Sequence, residues 1–278
     1  MKSKTAWIAV LLGPWLMAAA VPVAALIKWD NSSSTGTCDA PTVVDGSIVS
    51  CSPATPVGGT SLTETAISNT GSSGSLAAAY LGTYGGGVGV TSQGETLSVP
   101  QHAMDNNGNS EFMLFTFGAP VSVGAVEIGY ISTDSDFTVL AYTGCSGCTP
   151  NPIGDSYGGI VGNAAGTGWT LVGHYANTSV SPVTRAVNAY SAGLPTAASL
   201  SSSYWLIGAY NNSFGATVSD SNSDTSHLRT GNDYIKLLAV YGDTKPNTPP
   251  TSVPEPSSLL LIGIALLAMT ELRRRRVI

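Results

Sequence analysis

Glu111-Phe112-Met113-Leu114-Phe115-Thr116-Phe117-Gly118-Ala119-Pro120-Val121-Ser122-Val123-Gly124-Ala125-Val126-Glu127-Ile128-Gly129-Tyr130-Ile131 decides the fold. Phe112 to Phe117 is apolar at nearly every position, so both faces of that strand are expected to be buried. Val121 to Ile131 follows as a second strand, long enough to cross a sheet. Outward from this pair, Leu62 to Ile67, Phe137 to Tyr142, Thr170 to Tyr175, Tyr204 to Tyr210 and Tyr234 to Tyr241 read as further β-runs between Gly, Ser, Asn and Asp clusters. Val43-Val44 and Ser47-Ile48 flank Asp45-Gly46, a two-residue hairpin signal in which both central residues accept positive φ. One helix is expected, over Leu76 to Leu81. Gly85-Gly86-Gly87-Val88-Gly89-Val90 reads as a tight sheet-edge turn. It lacks the Lys and Ser/Thr of a phosphate loop and the third glycine of a dinucleotide turn. About eight strands without a long helix predict an all-β fold: a single antiparallel β-sandwich, jelly-roll-like, flanked by an N-terminal signal helix and a C-terminal hydrophobic sorting helix.

Composition agrees. The 278 residues are 43% hydrophobic and 10% charged, and they include 32 glycines. So few charges on so apolar a chain argue against disorder. Eleven basic against seventeen acidic residues, a net charge of −6, argue against a general nucleic-acid binder.

The two ends differ from the middle. Met1-Lys2-Ser3-Lys4 precedes an apolar run from Ala6 to Ala20, the order of a secretory signal peptide. Small residues at Val23-Ala24-Ala25 place signal-peptidase cleavage after Ala25, with Ala18-Ala19-Ala20 as the alternative site and an uncleaved anchor as the competing reading. At the other end Val253-Pro254-Glu255-Pro256 leads into an apolar run from Leu259 to Met269, then Arg273-Arg274-Arg275-Arg276. That apolar run is short for a full span, but Ser257 to Leu272 is expected to cross a bilayer with snorkelling and local thinning. The four arginines belong on the cytoplasmic side. This tail resembles the PEP-CTERM sorting signal read by exosortases. The resemblance implies cutting near Pro254, Glu255 and Pro256 after transient anchoring in the inner membrane, then release or transfer at the cell surface. A plain tail anchor would explain the apolar run and the arginines but not the Pro-Glu-Pro.

The chain thus divides into a signal peptide (1–25), an exported domain (26–243), a Pro/Thr linker (244–252) and the sorting segment (253–278). Residues 26–256 hold five basic and sixteen acidic residues, a net charge of −11. Such a surface favours neutral sugars, cationic partners or divalent ions.

A second resemblance lies within the domain. Pro100-Gln101-His102-Ala103-Met104-Asp105-Asn106 leads into Glu111-Phe112. Ile128-Gly129-Tyr130, Asp134-Ser135-Asp136 and Leu140-Ala141-Tyr142 follow, then Ser203 to Tyr210 and Asp233 to Val240. Over residues 61–243 these stretches are similar to the core of a family of exosortase-dependent surface proteins. The resemblance implies one domain of common design and no particular chemistry.

The four cysteines, Cys38, Cys51, Cys145 and Cys148, allow three disulfide connectivities. Sequence proximity favours Cys38 with Cys51 and Cys145 with Cys148. A strict two-residue turn at Asp45-Gly46 would set Cys51 opposite Ala40, so the first pair requires a bulge or an irregular strand end. Cys145-Ser146-Gly147-Cys148 is also a C-x-x-C. It leads into Thr149-Pro150-Asn151-Pro152, a poor helix start, so a structural clip is favoured over a redox or zinc site.

No nucleophile motif is present, and His102, His174 and His227 lack metal-site spacing. The candidate site is a calcium loop. Asp105, Asn107, Asn109 and Glu111 place oxygens at alternate positions around Gly108, with Asp134 and Asp136 as added ligands. The competing reading is a polar turn held by local hydrogen bonds. Asp220, Asn222 and Asp224 repeat the spacing in a Ser-rich loop, a weaker candidate. Tyr80, Tyr84, Tyr157, Trp169, Tyr175, Tyr190 and Trp205 are either sugar-stacking rings or core.

Three functions follow as expectations. The first is a non-enzymatic surface or extracellular-matrix protein, processed by signal peptidase and exosortase and associated, as the sorting system implies, with extracellular polysaccharide in a biofilm. The second is a calcium-assisted carbohydrate-binding module. The third is a secreted polysaccharide hydrolase using a carboxylate pair.

Overall fold

The computed structural model describes residues 26–32, 36–38, 48–70, 75–96, 98–144, 148–155, 160, 167–176, 183–187, 190–191, 194–195, 200–214, 228 and 231–244. The expected signal and sorting helices, the linker beyond Thr244 and the Asp45-Gly46 turn lie outside them. Among the described residues fifteen strands are formed. They are β1 Ile27–Asp30, β2 Ser50–Cys51, β3 Leu62–Asn69, β4 Leu76–Ala78, β5 Tyr80–Tyr84, β6 Gly87–Thr91, β7 Met104–Asp105, β8 Glu111–Thr133, β9 Phe137–Tyr142, β10 Trp169–Tyr175, β11 Val183–Ala186, β12 Tyr190–Ser191, β13 Leu194–Pro195, β14 Ser202–Ala209 and β15 Asp233–Asp243. Among the described residues no helix is long and apolar enough to cross a membrane.

Strand β8 organises the molecule. The two strands expected at Phe112 to Phe117 and Val121 to Ile131 are one strand of 23 residues. Its first half lies between β3 and β14, its second between β15 and β11, all antiparallel. Gly118, Ala119 and Pro120, the break in the apolar pattern, are exposed where the strand passes from one layer to the other. One layer reads β10-β9-β14-β8-β3, with β2 and β4 on the outer edge of β3. In the other, β11, β8 and β15 are followed by β1, β6 and β7 along the far edge of β15, and β5 pairs with β6.

Alternation along β8 builds two cores. Met113, Phe115 and Phe117 join Trp205, Ile207, Val139, Val88, Ile235 and Leu237 between the layers. Phe112 and Leu114 point the other way, against Ile67, Leu140, Leu206 and Trp169. Both faces of this half-strand are therefore buried, as its sequence requires. Beyond the corner, Tyr241 lies opposite Ala125 and Gly242 opposite Val123, a bulge at Gly124. The bulge changes the phase so that Val121, Val123, Val126 and Ile128 all enter the central core. Trp205 is 0% exposed, and truncating it to alanine costs about 3–5 kcal/mol.

The expected helix at Leu76 to Leu81 is instead β4 and the start of β5. Its alanines favour a helix, but Ala79 is buried and donates its N–H to Ala66 C=O, and Leu81 N–H bonds Ile48 C=O. Pairing overrides propensity here. The glycine run forms the β5–β6 turn, with Gly87 at φ 108 packed on the Leu237 carbonyl, where no Cβ fits.

Candidate cation site

Six carboxylates gather at the end of the sandwich where β15 begins. Register brings them together: β7 pairs Asp105 with Tyr234, and the end of β8 pairs Thr133 with Asp233. They form two triads, Glu95 with Asp105 and Glu111, and Asp134 with Asp136 and Asp233. In each, one carboxylate oxygen per residue lies within 4.8 Å of the others.

The expected single ligand set is thus divided. Asp105 and Glu111 do meet, whereas Asp134 and Asp136 belong to the second triad. Asn107 is exposed, and its amide donates to the Tyr234 hydroxyl at 2.7 Å. Asn109 is half-buried and belongs to neither triad. Asp220, Asn222 and Asp224 lie outside the described residues. Glu95 and Asp233 are the additions that sequence spacing missed.

The first triad is built on a turn. Asp105 Oδ1 accepts the Asn107 N–H at 2.8 Å, and Gly108 at φ 96 reverses the chain. Glu111 Oε2 then accepts the Asp105 N–H at 3.0 Å. Glu95 comes from the loop after β6, where its Oε2 accepts the Ser92 N–H at 3.3 Å. Asp105 and Glu111 are each 0% exposed, and Asp105 Oδ2 and Glu111 Oε1 have no hydrogen-bond partner. Burial pushes the Asp105 carboxyl up to about 7; the Asn107 N–H opposes this and the Glu95 charge adds to it. Glu111 is driven well above the usual carboxylate range by burial, then by the charges of Asp105 and Glu95.

The second triad carries its own donors. Asp233 Oδ1 accepts the Asp136 N–H at 2.9 Å, and Asp233 Oδ2 accepts the Asn106 amide. Asn106 Oδ1 in return accepts the N–H groups of Gly231 and Asp233, both at 3.0 Å. Asp134 Oδ1 takes the Ser135 N–H at 2.8 Å. Thr133, at φ 66, turns the chain between β8 and this cluster. Burial, then the Asp136 charge, push Asp233 up to about 8 against these hydrogen bonds.

Elsewhere, Cys38 and Cys51 form a disulfide with Cα atoms 5.0 Å apart. Thr37 N–H bonds Ser52 C=O at 2.7 Å, which sets Cys38 rather than Ala40 across from Cys51. The ladder is therefore two residues out of step with a strict Asp45-Gly46 turn. Cys148 is also disulfide-bonded; Cys145, its expected partner, lies outside the described residues. Lys236 is buried in an aromatic cage, 3.7 Å from the Tyr84 ring centroid and 4.4 Å from that of Tyr130, with His102 Nε2 at 3.0 Å. His174 is packed inside, its Nδ1 2.8 Å from the Thr138 hydroxyl.

Among the described residues every aromatic ring is buried or half-buried. Trp169, Tyr175 and Trp205 are core, Tyr80 and Tyr84 are half-buried, Tyr157 lies outside the described residues, and the Tyr190 side chain is not described.

These strands and buried acids define an all-β domain; the assignment comes from the tail. The chain carries the PEP-CTERM protein-sorting motif, matched over residues 252–276. That stretch includes Pro254, Glu255, Pro256 and Arg273 to Arg276, and it marks the protein as exported and sorted to the cell surface by an exosortase. The match covers the tail alone, so the likeness of residues 61–243 to exosortase-dependent surface proteins rests on the residues quoted above. No curated protein and no solved structure matches the chain.

Proposed function

We propose that this protein is a non-enzymatic component of the cell surface or extracellular matrix. Signal peptidase removes residues 1–25, and residues 253–278 hold the chain in the inner membrane until an exosortase acts. The sandwich then associates with extracellular polysaccharide. The sorting motif at residues 252–276 is the observation that carries this reading. Burial of the clustered acids argues against their serving as a glycosidase pair. A glycosidase pair must flank a bound sugar, whereas Asp105, Glu111, Asp136 and Asp233 are each 0% exposed.

Replacing Pro254-Glu255-Pro256 with alanines tests the sorting step. The variant is expected to accumulate as a larger, membrane-retained form, and normal maturation to the surface would contradict the reading. Co-sedimentation with matrix polysaccharide, alongside turnover assays on the same polymer, tests the rest. Binding without cleavage is expected, and steady release of reducing ends would establish a hydrolase instead.

A further inference from the structure

We propose that Glu95, Asp105 and Glu111 bind one calcium ion, which ties the loop after β6 to β7 and to the start of β8. Two independent observations carry this. The first is convergence: three carboxylates from separate positions along the chain bring oxygens within 4.8 Å of one another. Ligands on opposite sides of one calcium ion are about 4.6–5.2 Å apart, so no pair here is too distant to share it. The second is the state of those oxygens. Asp105 Oδ2 and Glu111 Oε1 belong to fully buried residues and have no hydrogen-bond partner. Native proteins rarely leave such atoms unmatched.

The chemistry of the donors selects the ion. All three are carboxylates. Hard oxygen sets suit calcium, magnesium or manganese rather than zinc or copper. Magnesium demands near-octahedral geometry and keeps most of its water, using one or two carboxylates; three converging acids fit calcium. Among the described residues no Lys or Arg forms an ion pair with Glu95, Asp105 or Glu111. Lys236, near in sequence register, is held in its ring cage. Glu95 is half-buried while its partners are sealed, so the ion enters from the Glu95 side.

The second triad lacks the second observation: no buried oxygen of Asp134, Asp136 or Asp233 is without a hydrogen-bond partner. Each oxygen of Asp233 already accepts a hydrogen bond, one from the Asp136 N–H and one from the Asn106 amide. The inference does not depend on the sorting reading.

The test is thermal melting of the full-length protein, purified in detergent at mildly alkaline pH, with excess EGTA or with calcium chloride. Calcium is expected to raise Tm by on the order of 5–10 °C at a hundredfold excess over Kd. Magnesium at the same concentration is expected to give a smaller shift. E95Q changes the most accessible ligand and is expected to melt cooperatively without the calcium shift. D134N, in the other triad, is expected to keep it. Equal Tm values with calcium and EGTA in the unaltered protein, or a shift retained by E95Q, would overturn the proposal. So would a shift lost only in D134N, and an equal magnesium response would overturn the choice of calcium.

Discussion

The two acidic triads sit at the same end of β15 and solve one problem in different ways. Around Asp233 the chain supplies donors: the Asn106 amide and the Asp136 N–H occupy both carboxylate oxygens. Around Asp105 and Glu111 it supplies two backbone donors and leaves Asp105 Oδ2 and Glu111 Oε1 unmatched. A single residue step, from Asp105 to Asn106, separates the cluster whose buried oxygens are matched by protein donors from the one that leaves two unmatched. Burying charge is costly unless it is paired, so each triad needs its own compensation. The difference shows that acidity alone does not distinguish the two clusters; the hydrogen-bond inventory does.

Glu64 gives the limiting case of a buried carboxyl outside either triad. It is 1% exposed beside the Cys38–Cys51 disulfide, and burial pushes it up to about 8 against the pull of the Asn31 amide. A raised folded pKa means that the folded state holds the proton more tightly than the unfolded chain. Stability from this group is therefore complete below pH 4.5 and is lost as pH rises through about 8. E64Q is expected to spare a loss on the order of 3–5 kcal/mol across that window. Denaturation midpoints at several pH values check this; parallel curves for E64Q and the unaltered protein would contradict it.

Breaking the closed triad should have the next largest effect. Asn106→Ala removes the amide donor to Asp233 and the acceptor for the Gly231 and Asp233 N–H groups. It is expected to cost about 3 kcal/mol in denaturant titration, because a buried acid loses a donor that it cannot replace. A cost close to zero would mean that this triad also relies on something beyond the chain. The smallest effect belongs to the turn within the first triad, between Asp105 and Glu111. Gly108→Ala meets nothing within 4 Å, so its cost is conformational, about 1 kcal/mol, with the calcium response retained.

The fold was legible where apolar pattern and burial coincide. Phe112 to Phe117 announced two buried faces, and Phe112 and Leu114 do enter a different core from Met113, Phe115 and Phe117. The continuity of β8 was hidden by Gly118-Ala119-Pro120, which resemble a turn but are an exposed corner between layers. The alanines at Leu76 to Leu81 hid two strands, because edge pairing is decided by distant partners. In the site, Asp105 and Glu111 were legible from alternating oxygens. Glu95 was not, since a loop of unrelated spacing delivers it. Asp233 stood at the head of a strand, where its register with Thr133 could be known only from the assembled sheet.

A crystal structure of the protein grown with calcium, with the anomalous signal mapped, tests the contrast between the triads most directly. The account predicts one peak, with carboxylate oxygens of Glu95, Asp105 and Glu111 at about 2.3–2.6 Å, and none at Asp134, Asp136 and Asp233. Asp105 and Glu111 sharing a proton across about 2.5–2.7 Å, with no metal between them, would contradict it.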